Sequence, residues 1–463
     1  MSQEEDLNVV LISTYELGRQ PFGVASPAAW LRREACTVCC VDLTRQELDE
    51  RIIASADVVA FYLPMHTATR LALPVVDRIR AIHPRVHLCF YGLYAALNES
   101  LLKELGARTI LGGEFEQGLV SLIRRLCAGG SQTGEAELLV SLERQQFLVP
   151  DRSDLPPLDG YARLRVGPGD SRIVGNTEAS RGCKHFCRHC PIVPVYEGRF
   201  RIVQCDVVLA DIRQQVAAGA QHITFGDPDF FNGPTHAMGI VEALHREFSE
   251  LTYDVTIKVE HLLKYRRHLP ALRDTGCLFV TSAVESVDDR TLGYYRKNHS
   301  RADFVEAVGL GRRVGLRLNP TFVAFSPWIT AEGYMDLLQV ILDLDLVDDV
   351  APIQYGIRLL IPRSSKLLEL PEVRELVGDF DERRLVYPWA HPDSRVDLLQ
   401  EGVMQVVQEM SRDEQSRRRV FQRVWALARE LSKGSARDDA RVAALDRARP
   451  RVTIPFLTEP WYC

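Results

Sequence analysis

Over the first 130 positions, apolar residues fall in short β-branched runs separated by amphipathic segments of helical length. Strands are predicted at Val9 to Ser13, Thr37 to Leu43, Val58 to Leu63, His87 to Tyr91 and Arg108 to Leu111. This alternation is the βαβ pattern of an open, doubly wound parallel sheet. In such sheets the ligand crevice lies beyond the carboxyl ends of the strands. Turn-forming stretches stand there: Thr14 to Gly23, Pro64 to Thr69, Gly92 to Tyr94 and Gly112-Gly113-Glu114. No G-x-G-x-x-G follows the first strand, so the dinucleotide fingerprint is absent.

Residues 129–160 break this rhythm, ending in LVPDRSDLPPLDGY, whose paired prolines continue neither a helix nor a central strand. A second alternation starts near Arg172: RIVGNTEA, QHITFGD, YDVTIKV, CLFVTSAV, GLRLNPTFVAF and PIQYGIRLLI, with helical segments between them. Six such units predict a partial parallel (β/α)6 barrel of the TIM type, whose chemistry belongs just after each strand. Past Pro371 the pattern is helical and charged, and the RRR run at 417–419 reads as a solvated helix face. The fold predicted is therefore α/β in four parts. They are an open sheet over 7–130, a linker over 131–165, a barrel over 166–375, and a helical carboxyl-terminal region and tail over 376–463.

Composition narrows the functions open to such a fold. With 62 acidic against 56 basic side chains, a net charge of -6 gives no footprint for nucleic acid or an anionic membrane. The acidic start MSQEEDLN reads as neither a secretory signal nor a transit peptide. No apolar run reaches the ~18 residues of a membrane span, so a cytoplasmic protein is expected. Eleven cysteines in a reducing compartment are buried apolar residues, metal ligands or reactive thiols. Cys36, Cys39 and Cys40 lie inside an apolar strand and read as inert. Cys183, Cys187 and Cys190 differ, because RGCKHFCRHC spaces them as C-x3-C-x2-C, a pattern expected by chance in roughly one such chain in a hundred. They directly follow the first barrel strand. Three thiolates can hold three irons of a four-iron cluster and leave the fourth open. The alternative is a zinc site of the three cysteines with His185 or His189.

The stretch TEASRGCKHFCRHCP resembles the signature of the radical S-adenosylmethionine superfamily. That resemblance implies a 4Fe–4S cluster on Cys183, Cys187 and Cys190, with S-adenosylmethionine chelated to the open iron and cleaved on one-electron reduction. His189 stands where an aromatic residue usually packs near the adenine. Gly226, Asp227 and Pro228, closing the second barrel strand, resemble the segment that binds the methionyl amino group, although the usual glutamate is missing. Lys258 and Glu260 end the third strand, and Glu285 and Ser286 are similar to an element of the subgroup with an amino-terminal cobalamin domain. Asn319 and Thr321 end strand five, while Gln354 and Arg358 lie on strand six. By the same resemblance the cofactors are the cluster, S-adenosylmethionine and cobalamin. The partners are a small-molecule substrate and an external electron donor such as flavodoxin or ferredoxin.

The order of open sheet, Pro-Pro linker and cysteine-triplet barrel is similar to cobalamin-binding radical enzymes over roughly residues 7 to 375. Many cobalamin domains carry D-x-H-x-x-G after the first strand; here Ser13 and Tyr15 replace the Asp and His. A corrinoid would then bind without a histidine ligand, and methyl transfer would lead among the possible reactions. The alternative is a non-catalytic iron–sulfur or zinc protein with a degenerate cobalamin-type domain. His66, beyond strand three, reads as a loop histidine in water. TEPWYC resembles the start of the tail of radical enzymes ending in Cys-Cys-Ala-Glu-Pro or its selenocysteine form, which draws attention to Cys463.

Overall fold

The computed structural model describes residues 7–128, 137–412, 417–432, 436–445 and 453–459. Six strands form the first sheet: β1 (Leu7–Ser13), β2 (Cys36–Asp42), β3 (Val58–Tyr62), β4 (His87–Tyr91), β5 (Thr109–Gly113) and β6 (Val140–Ser141). They are parallel and ordered β2-β1-β3-β4-β5-β6. Period-two alternation splits the sheet into two cores. Val10, Ile12, Val59, Phe61, Leu88 and Phe90 pack on one face, and Val9, Leu11, Val58, Ala60, Cys89 and Tyr91 on the other. Helices cover both, which is why these strands read as continuous apolar runs. The short β6 lies inside the stretch expected to be a linker, because the Leu139 carbonyl and Gly112 N–H pair across it.

The second sheet holds β7 (Arg163–Gly167), β8 (Asp170–Thr177), β11 (His222–Phe225), β12 (Thr252–Thr256), β13 (Cys277–Glu285), β14 (Arg317–Phe322) and β15 (Phe456–Leu457). Between β8 and β11 lies a small antiparallel pair, β9 (Ser180–Gly182) and β10 (Phe200–Ile202). The large sheet runs β14-β13-β12-β11-β8-β7-β15, with β8 and β11 to β14 parallel as in a partial barrel and β7 and β15 antiparallel at its edge. Ile223, Phe225, Tyr253, Val255 and Val280 pack beneath the outer helices. The alternate positions His222, Thr224, Asp254, Thr281 and Asn319 carry polar groups, joined in part by hydrogen bonds from His222 and Thr224 to Asp254 at 2.9 and 2.7 Å.

Three expectations are corrected. PIQYGIRLLI is not a full sixth strand: Pro352 to Tyr355 form a 3-10 turn, and only Arg358 bridges to Phe325. Gln354 ends the neighbouring strand instead, accepting a hydrogen bond from Phe322 N at 2.8 Å. The RRR run is not a uniformly solvated face. Arg417 is buried and donates to the Asp348 carbonyl, and Arg418 pairs with the Asp348 carboxylate at 2.8 Å. His66 is not a loop residue in water; it opens the helix His66–Ile82, and its Nε2 lies 2.6 Å from the Arg384 carbonyl, where the carboxyl-terminal region folds back. Among the described residues no helix is long and apolar enough to cross a membrane.

Candidate active site

The cysteine loop leaves the sheet at β9 and returns at β10. Gly182, just before Cys183, has φ +75°, and a Cβ there would stand 2.3 Å from the Tyr196 ring, so the turn admits only glycine. Cys183 and Cys187 are 9% and 7% exposed, and Cys190 is half-buried. None is in a disulfide. Burial pushes the Cys183 thiol up and the Cys190 thiol up to about 12, so in the protein alone these groups hold their protons. Opposing that, Lys258 Nζ stands 3.7 Å from Cys187 Sγ, and Lys297 lies within electrostatic reach of Cys187 and Cys190. Cys183 Sγ is 3.9 Å from Asn232 Oδ1.

Glu285 is the best-organised carboxylate facing this loop. β13 bulges between Ala283 and Glu285, and Glu285 takes φ +68°, a left-handed conformation that costs a non-glycine residue about 1 to 2 kcal/mol. The bulge turns the carboxylate toward His189 Nε2 at 3.2 Å and Lys297 Nζ at 3.4 Å. Burial raises its pKa, but the Lys297 ammonium and the His189 ring more than offset this and hold it at about 2. The His189 ring also lies 4.6 Å from that of Tyr295. Lys297 escaped the sequence reading. It follows a helix that ends at Arg296 in the left-handed region, and only the folded turn brings it to the site.

The other expected residues divide into those facing the loop and those already engaged. Lys258 and Glu260 face it, 3.7 Å apart. Asp227 is buried with both oxygens used, accepting from Ala179 N at 2.9 Å and Ser180 Oγ at 2.5 Å; burial raises its pKa to about 7. It braces the segment that leads into the cysteine loop. Gly226 donates to the Thr177 carbonyl at 2.8 Å, with only ordinary contacts where a Cβ would stand, and Pro228 follows in the same turn. Ser286 Oγ accepts from Asp288 N, Asn319 donates to Thr281 Oγ1 at 3.2 Å, and Arg358 is tied to Asp397 and Trp389. Among the described residues no Cys3His set comes together; His189 Nε2 faces Glu285, and His185 is turned to Asp229 and Glu260.

The carboxyl edge of the first sheet closes over the loop. Arg181, two residues before Cys183, contacts Glu178 at 2.6 Å, Glu116 at 2.7 Å and Glu114 at 3.5 Å, and stacks over Phe147 and Phe115. Tyr196 donates to Glu114 at 3.2 Å. Arg152 clamps Asp211 through two bonds and reaches the Gln20 side chain. Glu16 accepts from Phe22 N and Gly23 N, and burial raises its pKa to about 8. Tyr15 is buried at the end of β1. From the tail, Glu459 packs on Gly18; Cys463 lies outside the described residues.

Comparison with known proteins fits this geometry. Residues 177–338, from the end of β8 into the helix after β14, match the model of the Radical SAM superfamily. The chain carries a radical SAM domain. Hopanoid C-3 methylase of Methylococcus capsulatus is 24% identical over 328 residues, 67% of this chain and 62% of that protein, so the match spans less than two thirds of the relative. Among solved structures, the fold is similar to the cobalamin-dependent radical enzyme OxsB with aqua-cobalamin and S-adenosylmethionine bound. That match has a TM-score of 0.70 at 14% identity over 88% of this chain and 69% of that one. It is also similar to the methyltransferase TsrM of Kitasatospora setae with tryptophan and a S-adenosylmethionine analogue, at a TM-score of 0.61 and 15% identity over 73% and 71% of the two chains. A radical SAM fold implies a 4Fe–4S cluster and S-adenosylmethionine. The donor set here fits the cluster: three unbridged thiols, two buried and one half-buried, within electrostatic reach of one another, with two ammonium groups facing them and no fourth cysteine in the loop.

Proposed function

We propose that this radical SAM protein cleaves S-adenosylmethionine reductively and, with a corrinoid held at the edge of the first sheet, transfers a methyl group to a small molecule. The observation that carries the reading is the largely buried triplet of Cys183, Cys187 and Cys190 opposite an ionised Glu285. Bound there, the cluster and S-adenosylmethionine would supply the radical chemistry, and the protein's part is binding, orientation and exclusion of water. The three thiolates would hold the cluster, and Lys258 and Lys297 would ease their ionisation. Glu285, kept charged by Lys297 and His189, would accept hydrogen bonds from ribose hydroxyls or the amino group of S-adenosylmethionine. Glu260, in the first turn of the helix after β12, and Asn319, within β14, would offer further polar contacts. Asp227 would act through the backbone it braces.

Glu285→Gln tests the first contact. Hydrogen bonds to charged groups contribute about 1.5 to 3 kcal/mol, so the variant is expected to bind S-adenosylmethionine roughly ten to a hundredfold more weakly, with cluster content unchanged. Equal affinity by equilibrium dialysis would assign Glu285 to bracing Lys297 alone.

Support for the corrinoid comes from the fold shared with OxsB and from the order of the two sheets. The β1–α loop offers Tyr15 and no histidine from Thr14 to Gln20, so the chain supplies no imidazole to cobalt there. The reconstituted protein is expected to retain about one hydroxocobalamin per chain, because the strand order reverses between β1 and β3, where such sheets bind their ligand. Paramagnetic resonance of the reduced cobalt should show no histidine nitrogen coupling. Loss of all corrinoid on desalting would make the first sheet a lid over the cluster, leaving a radical SAM enzyme without cobalamin.

A further inference from the structure

Beside the cysteine loop, three donors from three separate segments converge. His185 belongs to the loop itself, Asp229 to the turn after β11, and His261 to the helix Val259–Lys264 after β12. All three are buried, Asp229 and His261 almost completely. Asp229 Oδ1 has a structural task, accepting from Phe231 N at 3.2 Å. Its Oδ2 lies 3.3 Å from His185 Nε2 and 2.6 Å from His261 Nδ1, and the three atoms all fall within 4.8 Å of one another. Yet none of them has an aligned hydrogen-bond partner. The imidazole N–H directions miss the carboxylate oxygen although the atoms are close.

Ion-pair contact brings these three buried atoms together, but it leaves each without the aligned hydrogen bond that a buried polar atom ordinarily has. A single cation where their lone pairs meet satisfies all of them at once. We propose that His185, Asp229 and His261 form a second metal site, for one divalent transition ion of the zinc type, distinct from the cysteine site. Two imidazoles and a carboxylate suit zinc or ferrous iron and not magnesium or calcium, which take oxygen donors. A metal-bound imidazole usually gives its other N–H to a carboxylate, and Glu260 Oε2, buried and itself without an aligned partner, lies 3.6 Å from His185 Nδ1. Two carboxylates, of Asp229 and Glu260, counter the nearby Lys258 ammonium. The ion would pin the cysteine loop to the ends of β11 and β12. It would hold the loop's shape whether or not a cluster is present, and so does not depend on the proposed reaction.

The test removes the thiols that would themselves take zinc. Cys183→Ser/Cys187→Ser/Cys190→Ser, equilibrated with Zn2+ and desalted, is expected to keep about one zinc per chain and to unfold at a higher temperature than after chelation, because an ion bound only to the folded state stabilises it. Co2+ in the same variant should give the visible bands of a nitrogen- and oxygen-coordinated ion. Adding Asp229→Asn or His261→Gln should weaken retention at least about tenfold and abolish the chelator-sensitive shift in unfolding temperature. No zinc retained by the triple variant, or equal retention with and without His261→Gln, would overturn the site. Neither result would bear on cluster assembly, which is measured as iron in the wild-type chain.

Discussion

Replacing Cys183, Cys187 or Cys190 by alanine is expected to abolish S-adenosylmethionine cleavage and to strip the reconstituted protein of its iron–sulfur absorbance. With no fourth cysteine in the loop to substitute, a missing thiolate leaves an iron without a protein ligand and open to solvent. Cys205→Ala and Cys277→Ala serve as controls. Cys277 is buried, its thiol pushed well up by burial, and its Sγ lies 3.3 Å from the Phe279 carbonyl, far in sequence from the loop. Both controls should keep a full complement of iron. A triplet variant that retains it would remove the cysteine loop as the cluster site.

The second large effect concerns Arg181. Its guanidinium is 7% exposed and is the cation set among Glu178, Glu116 and Glu114, where the first sheet meets the barrel. Removing one partner of a buried ion pair leaves uncompensated charge, typically costing about 3 to 5 kcal/mol, so Arg181→Met should lower the unfolding midpoint strongly. The loss should depend on pH. Burial already raises the Glu114 pKa to about 7, against the opposing pull of Arg181, and also raises that of Glu178. Without Arg181 both rise further. A carboxyl whose folded pKa is raised favours the folded state at low pH and loses that advantage as pH climbs through the folded value. Arg181→Met should therefore be less destabilised at pH 5 than at pH 8, as read by denaturant titration at both. An equal loss at the two pH values would mean that stacking on Phe147 and Phe115, and not charge, is what Arg181 contributes.

Much of this was legible along the chain because it is local. The two-residue period of β1 and β3 places Val9 and Val10 on opposite faces, and the spacing of Cys183, Cys187 and Cys190 fits one short loop. What was not legible depends on turns and long-range contact. Lys297 reaches Glu285 only because β13 bulges and the chain passes through left-handed conformations at Arg296 and Asn298, where no glycine marks the sequence. Arg181 reads as an ordinary residue beside a motif until Glu114 and Glu116, some 65 positions earlier, are folded against it. Pattern also misled where a tertiary partner overrode it. Asp348 draws Arg417 and Arg418 inward, and the Gln354 amide ends β14 where a sixth strand was expected. Asp227 has the chemistry of a ligand contact, yet Ala179 and Ser180 already occupy it, which amphipathic spacing does not reveal.

One anaerobic assay decides whether the cysteine loop supports reductive cleavage of S-adenosylmethionine. The reconstituted protein is reduced, its cluster is followed by paramagnetic resonance, and S-adenosylmethionine is added while products are separated by chromatography. The expected result is a reduced-cluster signal that changes on addition of S-adenosylmethionine, with 5′-deoxyadenosine and methionine formed in equal amounts, and neither in Cys187→Ala. A fully reduced cluster whose signal ignores S-adenosylmethionine, with the compound recovered intact, would contradict it.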